Sequence, residues 1–241
     1  FTKQQKQGII YIMKISKETL EVLKNFSAIN PNLVICEGSK LSTIADAKNI
    51  MAAVNVSETF PKKVGIYDLN EFLSALSLIE DPEFEFGDSA VSIKSNTATL
   101  TYRYADTSIL TSPEKEVNMP PTDVEVNLTA DDIAQIRRAG SALNHPVVSI
   151  TTEHGDDALY LQVKDPNNSS ANVYSHKVCS AIDSDAIVDQ SFDYQFLIAN
   201  LKLIPGDYKV AVSSKLISNW ECISNTSVKY WIALEKTSVT K

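Results

Sequence analysis

Glycine is scarce here, with seven residues in 241. No G-x-x-x-x-G-K-[ST] or G-x-G-x-x-G run occurs, so the sequence offers no glycine-rich loop to bring backbone N–H groups up to a phosphate. Cysteine is scarcer still. Cys36, Cys179 and Cys222 are odd in number, far apart and never spaced C-x-x-C, which argues against a disulfide framework or a zinc site and fits a reducing compartment. No apolar run approaches membrane-spanning length, so no membrane partner is expected. The N-terminal stretch lacks the makeup of a secretory signal, and N-x-[ST] matches such as Asn55-Val56-Ser57 therefore carry no glycosylation reading. A basic excess is missing too: 22 Lys and Arg against 30 Asp and Glu leave a net charge of −8. That sign is opposite to the one an ordinary tight nucleic-acid binder displays.

Catalytic signals are equally thin. His145, His154 and His176 stand apart from any Cys or Ser motif that would mark a nucleophile and its base. His154-Gly155-Asp156-Asp157 lies between alternating segments and reads as a hairpin turn before it reads as a metal site. Asp131-Asp132 falls in the first turn of a predicted helix, where capping and the helix dipole account for both carboxylates. The sequence therefore predicts no enzyme, no metal and no cofactor.

What is present is a globular composition, 44% hydrophobic, sufficient for one large core or two cores of roughly 100 residues each. Residues 1–12 read as a leader ahead of a start at Met13. Ser16 then caps a helix whose Leu20, Leu23 and Phe26 share one side, flanked by Val22 and Ile29. At 100° per residue Lys14, Lys17, Glu21 and Lys24 fall on the opposite, mostly basic side. Alternating segments follow at 33–37, 41–45, 49–56 and 64–67. A second helix begins at Asp68 with Glu71 three residues on, presents Leu69, Phe72, Leu73, Leu76 and Ile79, and stops at Pro82. Strands at 84–86, 90–94 and 98–104 close the first half. Residues 106–122 lapse into Ser, Thr, Pro and charge, a connector ending in Pro120-Pro121.

The second half, 123–241, repeats the plan. A strand at 124–128 leads into Thr129-x-x-Asp132, which caps a helix with Ile133, Ile136, Gly140 and Leu143 inward and Arg138 outward. Ser16-Lys17-Glu18-Thr19-Leu20 thus matches Thr129-Ala130-Asp131-Asp132-Ile133, and the two helices run into Asn30-Pro31 and Asn144-His145-Pro146. Strands are predicted at 147–152, 158–164, 172–179 and 192–198, a short second helix at 200–204, then strands at 208–213, 216–222 and 228–234. The fold class is α+β: two tandem similar domains, 13–105 and 123–241, each packing helices on one face of antiparallel sheet.

Several stretches carry a resemblance beyond pattern: Met13-Lys14-Ile15-Ser16-Lys17, Leu23-Lys24-Asn25-Phe26, Ile66-Tyr67-Asp68-Leu69-Asn70, Ala199-Asn200-Leu201-Lys202, Pro205-Gly206-Asp207-Tyr208-Lys209 and Ala233-Leu234-Glu235. In these the chain resembles the T-even phage sliding clamp, the DNA polymerase processivity factor, over essentially all of 13–241. The resemblance implies a ring of three subunits with helices lining the hole and sheets outside, an architecture shared with proliferating cell nuclear antigen. It also implies threaded double-stranded DNA, a DNA polymerase and a clamp loader ATPase as partners, in the cytoplasm of the infected bacterial host.

A ring is retained by closure, so the acidic total ceases to be an objection. Sliding asks only for a modest, sequence-blind positive surface. Lys14, Lys17 and Lys24 supply one candidate patch, and Arg137, Arg138 and Lys202 another, although a solvated face of an amphipathic helix looks the same. The helix from Asp68 offers no basic residue, and Arg137 sits nearer the apolar stripe than Arg138. The resemblance further implies a groove for the tails of polymerase and loader, with Val117, Met119, Pro205, Trp231 and Ala233 as candidates. Trp231 can equally be core in an ordinary strand. Strands 98–104 and 172–179 are the expected ring-closing edges. Two other readings stay open: a β-rich phage structural or interaction module that never encircles DNA, and a small hydrolase using His154.

Overall fold

The computed structural model describes residues 11–152, 158–179 and 191–240. These divide into two compact units, residues up to 46 with 52–114, and 47–51 with 115–241.

In the first unit, strand β1 (Tyr11–Met13) leads to Ser16, whose side-chain oxygen accepts the Thr19 N–H and starts helix α1 (Lys17–Ile29). Thr19, Val22, Leu23, Phe26 and Ile29 form its buried stripe. Strands β2 (Leu33–Ile35), β3 (Gly38–Ile44), β4 (Ile50–Phe60) and β5 (Val64–Ile66) follow, then helix α2 (Leu69–Leu76). Asp68 caps α2 by accepting the N–H groups of Asn70 and Glu71. Strands β6 (Glu83–Phe86), β7 (Ala90–Lys94) and β8 (Thr99–Arg103) complete an antiparallel sheet in the order β1-β6-β7-β8. Apolar side chains from the helices and from one face of this sheet, among them Phe84, Phe86, Val91 and Ile93, meet in one core, where Phe60 and Phe86 pack edge to face at 6.2 Å.

Two expectations shift here. Residues 11 and 12, read as leader, pair with Phe86 and Glu85 and so form part of the first sheet; the rest of that leader lies outside the described residues. The connector also starts later than residue 106. The Ala105 N–H reaches the Gly65 carbonyl at 2.9 Å, a short 3-10 turn spans Thr107–Ile109, and Leu110 is buried. An apolar anchor at Leu110, five residues past the backbone bond at Ala105, holds this segment on the first unit against its polar composition.

The second unit opens with strand β9 (Val124–Leu128) and helix α3 (Ala130–Leu143). Thr129 and Asp132 form the expected reciprocal capping box, and Asn144 ends the helix in the left-handed region at φ 54°. Ile133, Ile136, Ala139 and Gly140 are buried, while Leu143 is half-buried. Strands β10 (Val147–Thr152), β11 (Leu159–Lys164), β12 (Tyr174–Cys179), β13 (Phe192–Leu197), β14 (Tyr208–Ser213), β15 (Ile217–Cys222), β16 (Lys229–Ala233) and β17 (Val239–Thr240) follow. They pair as β12-β11-β10-β13-β17 and as β9-β14-β15-β16. Segment 47–51 joins this unit: the Ala233 N–H donates to the Asn49 carbonyl at 2.9 Å, and Asn49 Nδ2 to Asn200 Oδ1 at 3.1 Å. The core is aromatic, with Trp220 set edge to face against Phe196 at 5.9 Å and Tyr208 at 6.4 Å.

The short second helix expected at 200–204 is absent. A 3-10 turn occupies Ile198–Asn200, and 201–204 has no helical ladder. Side chains take the backbone groups instead. The Arg137 guanidinium donates to the Leu201 carbonyl, the Ile204 N–H meets the Tyr230 hydroxyl at 3.1 Å, and the Tyr208 hydroxyl donates to the Ile204 carbonyl at 2.6 Å. With Pro205 next in line, an isolated helical turn has no room to grow. The hairpin expected at His154–Asp157 lies outside the described residues.

Candidate functional site

The α1 stripe buries one side of the helix and leaves Lys17, Glu18, Glu21, Lys24 and Ala28 exposed. That face is mixed in sign rather than mostly basic, because Glu18 joins it and Lys24 Nζ lies 2.7 Å from Glu21 Oε1. Lys14, just ahead of the cap, is exposed and places Nζ 2.7 Å from Asp81 Oδ2. The hydrogen bond that Lys14 donates to Asp81 holds its ammonium pKa above the ordinary range, against an opposing effect of burial. Long side chains in exposed pairs reorganise at little cost, so each lysine is available to a phosphate in exchange for a weak partner.

In the second unit Arg138 is exposed on α3, with Nη2 3.4 Å from Asp131 Oδ1. Arg137 is different: its guanidinium is committed to the Leu201 carbonyl and ties α3 to the loop that replaces the second helix. Lys202 sits half-buried in that loop, its N–H on the Asn200 carbonyl at 2.8 Å. Arg137 and Lys202 are thus brought to one loop, and Arg138 points away on the next helical position.

For the groove candidates, strand alternation settles Trp231. Tyr230 and Ile232 are buried, while Trp231 and Ala233 share the opposite, half-buried face of β16. Across the sheet Trp231 sits beside Asn219, and Asn219 beside Ala211; Ala233 sits beside Ile217. Ile217 and Ala211 therefore belong to this face, and sequence reasoning missed them because neither breaks the pattern of its own strand. Val117 and Met119 are half-buried in the connector, whose end is anchored by the Ser213 hydroxyl on the Pro121 carbonyl at 2.8 Å and the Ser214 N–H on Asp123 Oδ2 at 2.5 Å. Pro205 is exposed, but its neighbour Ile204 is held on the buried face of the sheet by Tyr208 and Tyr230. The structure brings Trp231 and Ala233 together and sets Pro205 apart from them.

Two polar arrangements had no sequence signal. Glu58, 8% exposed on β4, accepts the Ser16 N–H and the Thr19 hydroxyl, each at 2.5 Å. Burial alone pushes this carboxyl up, but the bonds from Thr19 and Ser16 outweigh it and the group ends below its usual range. His176 on β12 places Nε2 2.7 Å from Asp132 Oδ1 in the first turn of α3. Burial likewise raises Asp132, and bonds from Thr129 and His176 more than reverse it. Among the described residues no group of three or more His, Cys, Asp or Glu is placed to hold a metal, and no helix is long and apolar enough to cross a membrane. Strands β8 and β12 lie at the outer edges of their sheets.

Comparison with known proteins follows the same division. Residues 16–111 match the model of the family described as DNA polymerase processivity factor, and residues 125–236 match that described as gp45 sliding clamp, C terminal. The chain is 32% identical over 227 residues to the sliding clamp of Vibrio phage KVP40, covering 92% of this chain and 99% of that one. It is 31% identical over 233 residues to the sliding clamp of Escherichia phage RB69, covering 94% and 98%. Among solved structures, A. fulgidus PCNA bound to the C-terminal region of FEN-1 superposes with a TM-score of 0.68 at 14% identity, covering 96% of this chain and 100% of that one. A Pseudomonas aeruginosa DnaN sliding clamp superposes at 0.65 and 14% identity, covering 98% and 68%. At such identities the solved structures speak to the fold alone.

Proposed function

The chain belongs to the sliding-clamp family of DNA polymerase processivity factors, and from that premise we propose that three copies close head to tail around duplex DNA. The reading is carried by one observation: both halves match the clamp family along their length, each with a capped helix whose polar side is left in solvent. Such a ring holds DNA by topology, so affinity is not demanded of its surface. Lys14, Lys17, Lys24 and Arg138 face the phosphates, each replacing a weak carboxylate partner or solvent by a phosphate oxygen. Arg137 and Lys202 contribute from the loop that Arg137 braces. The acidic remainder of a trimer, three times the chain's −8, faces outward and discourages DNA from wrapping the rim.

A DNA polymerase is the partner held by this tether, and a clamp loader ATPase opens the ring. Both dock through short tails on the face that carries Trp231 and Ala233, bordered by the connector with Val117 and Met119, while Pro205 lies outside it. Support comes from the exposed side of β16, where a half-buried tryptophan beside small residues has the makeup of a binding hot spot. The related A. fulgidus protein is described with a C-terminal region bound to it, the same kind of ligand. No reaction is assigned to this chain; the work is tethering, in the infected bacterial cell.

Sedimentation equilibrium of the full chain tests the assembly. The reading expects a mass three times the 26.5 kDa chain at micromolar concentration; a monomer throughout that range contradicts it.

A further inference from the structure

Lys202 has no helix beneath it, yet the backbone that carries it is held closely. Leu201, at φ −77° and ψ 57°, is the centre of an inverse γ-turn, across which the Lys202 N–H donates to the Asn200 carbonyl at 2.8 Å. The Leu201 N–H is taken up by the Ile198 carbonyl at 3.1 Å, closing the 3-10 turn. A γ-turn uses the carbonyl before its centre and the N–H after it, and supplies no partner to the central carbonyl. Here that carbonyl accepts from the Arg137 guanidinium. The peptide joining Leu201 to Lys202 is therefore held on both edges, its N–H by the turn and its C=O by a side chain of α3.

The neighbouring side chains set the direction in which the lysine leaves. Leu201 and Leu203 are buried on either side of it, so Lys202 is the residue of the three that reaches solvent. One residue past Leu203, Ile204 is fixed in turn, its N–H on the Tyr230 hydroxyl and its carbonyl on the Tyr208 hydroxyl. Both tyrosines are buried, whereas Arg137 is exposed. Of the side chains named as holding this loop, Arg137 is thus the one whose substitution does not open the core.

We propose that Arg137 is a positioning residue: it locks the 201–202 peptide so that Lys202 meets the DNA phosphates from a rigid mount, and does not itself touch them. The inference rests on the ring reading and deepens it, dividing the two cations of this loop into one that holds and one that touches. The chemistry of the side chains favours that division. A guanidinium is planar and always charged, so a carbonyl engages it in one fixed orientation. A lysine is a point charge on a flexible stem, suited to meeting successive phosphates as the duplex moves past. Fixing the base of that stem spares the backbone ordering that each contact would otherwise cost.

The test is a double-mutant cycle in the full chain, with Arg137→Met to remove the donors while keeping a stem, and Lys202→Ala to remove the contact. Fluorescently labelled rings, loaded onto a duplex tethered at both ends, are followed as they slide. Lys202→Ala should speed diffusion about twofold through loss of an exposed charge contact in each subunit. Arg137→Met should do the same, and the double variant no more than either alone. Arg137→Lys, which keeps a donor for the carbonyl, should restore much of the parent's behaviour. Amide exchange at Lys202 should quicken in Arg137→Met while solution mass stays that of the parent. Faster sliding on adding Arg137→Met to Lys202→Ala would put Arg137 on the phosphates and overturn the positioning role, as would sliding that Lys202→Ala speeds and Arg137→Met leaves alone. Sliding unmoved by Lys202→Ala overturns Lys202 as the contact and leaves the ring intact. A parent chain not retained on the tethered duplex after loading overturns the ring itself.

Discussion

His176 and Asp132 are 44 residues apart in sequence, and their side chains meet at 2.7 Å, joining an edge strand to the first turn of a helix. Asp132 serves two partners at once, since its carboxylate also closes the capping box on Thr129. Removing the anion, as in Asp132→Asn, should cost about 1 kcal/mol from the cap and the pair. Because the folded carboxyl lies below its unfolded value, its contribution is fully present above about pH 4 and is lost as pH falls through the folded pKa. Urea midpoints of parent and variant should therefore differ at pH 7 and converge under strong acid; an equal gap at both pH values would refute this role.

Glu58 gives a sharper case, because its carboxylate is nearly enclosed and receives two donors from the start of α1. Glu58→Ala leaves the Ser16 N–H and the Thr19 hydroxyl without that acceptor, at a cost of about 1–3 kcal/mol. Glu58→Gln keeps the shape and should lose less. Chemical unfolding of the three proteins at pH 7 orders them; alanine no worse than glutamine would show that the carboxylate is incidental.

Gly65 on β5 sits where a Cβ would lie 2.7 Å from the Ala105 carbonyl and 2.8 Å from Leu110 Cδ1. A backbone oxygen cannot swing away as a side-chain tip can. Gly65→Ala should destabilise the first unit by about 1–3 kcal/mol and loosen the Ala105–Leu110 segment, read as faster amide exchange at Ala105. Unchanged exchange there would contradict the packing account.

Charge reversal at Lys17, Lys24 and Arg138 to Glu tests the DNA-facing assignment. All three are exposed, so solution mass should stay that of the parent while processive synthesis shortens, most strongly at low salt where phosphate contacts count for more. Product length that does not change at any salt concentration would move the lining elsewhere.

Trp231→Ala removes the aromatic from the outer face of β16 without touching Tyr230 or Ile232 on the buried side. Binding of a polymerase C-terminal peptide should weaken about tenfold or more, with the unfolding midpoint nearly constant. Unaltered affinity would relocate the groove.

Signals local in sequence were legible. Ser16, Asp68 and Thr129 begin helices where capping chemistry places them, and strand alternation around Trp231 already implied that it parts from Tyr230 and Ile232. What failed was decided at a distance. The loop at 201–204 takes its shape from Arg137 and Tyr230, 64 and 26 residues from their partners in it, together with Tyr208 four residues on. Glu58 lies beyond the strand read at 49–56, and its partners Ser16 and Thr19 are 42 and 39 residues away in sequence. The face of α1 looked more basic than it is because Glu18 sits at its margin by angle, yet stays exposed once the stripe from Thr19 to Ile29 is buried. Its wording pointed to a family where its charge did not, since an acidic chain encloses DNA by geometry.

Retention on DNA puts that geometry to the test most directly. Loaded by a clamp loader and ATP onto nicked circular DNA, the chain should stay bound for minutes through a high-salt gel-filtration column, and linearising the same circle should release it through the ends. Equal retention on circle and line, or none on either after productive loading, would contradict encirclement.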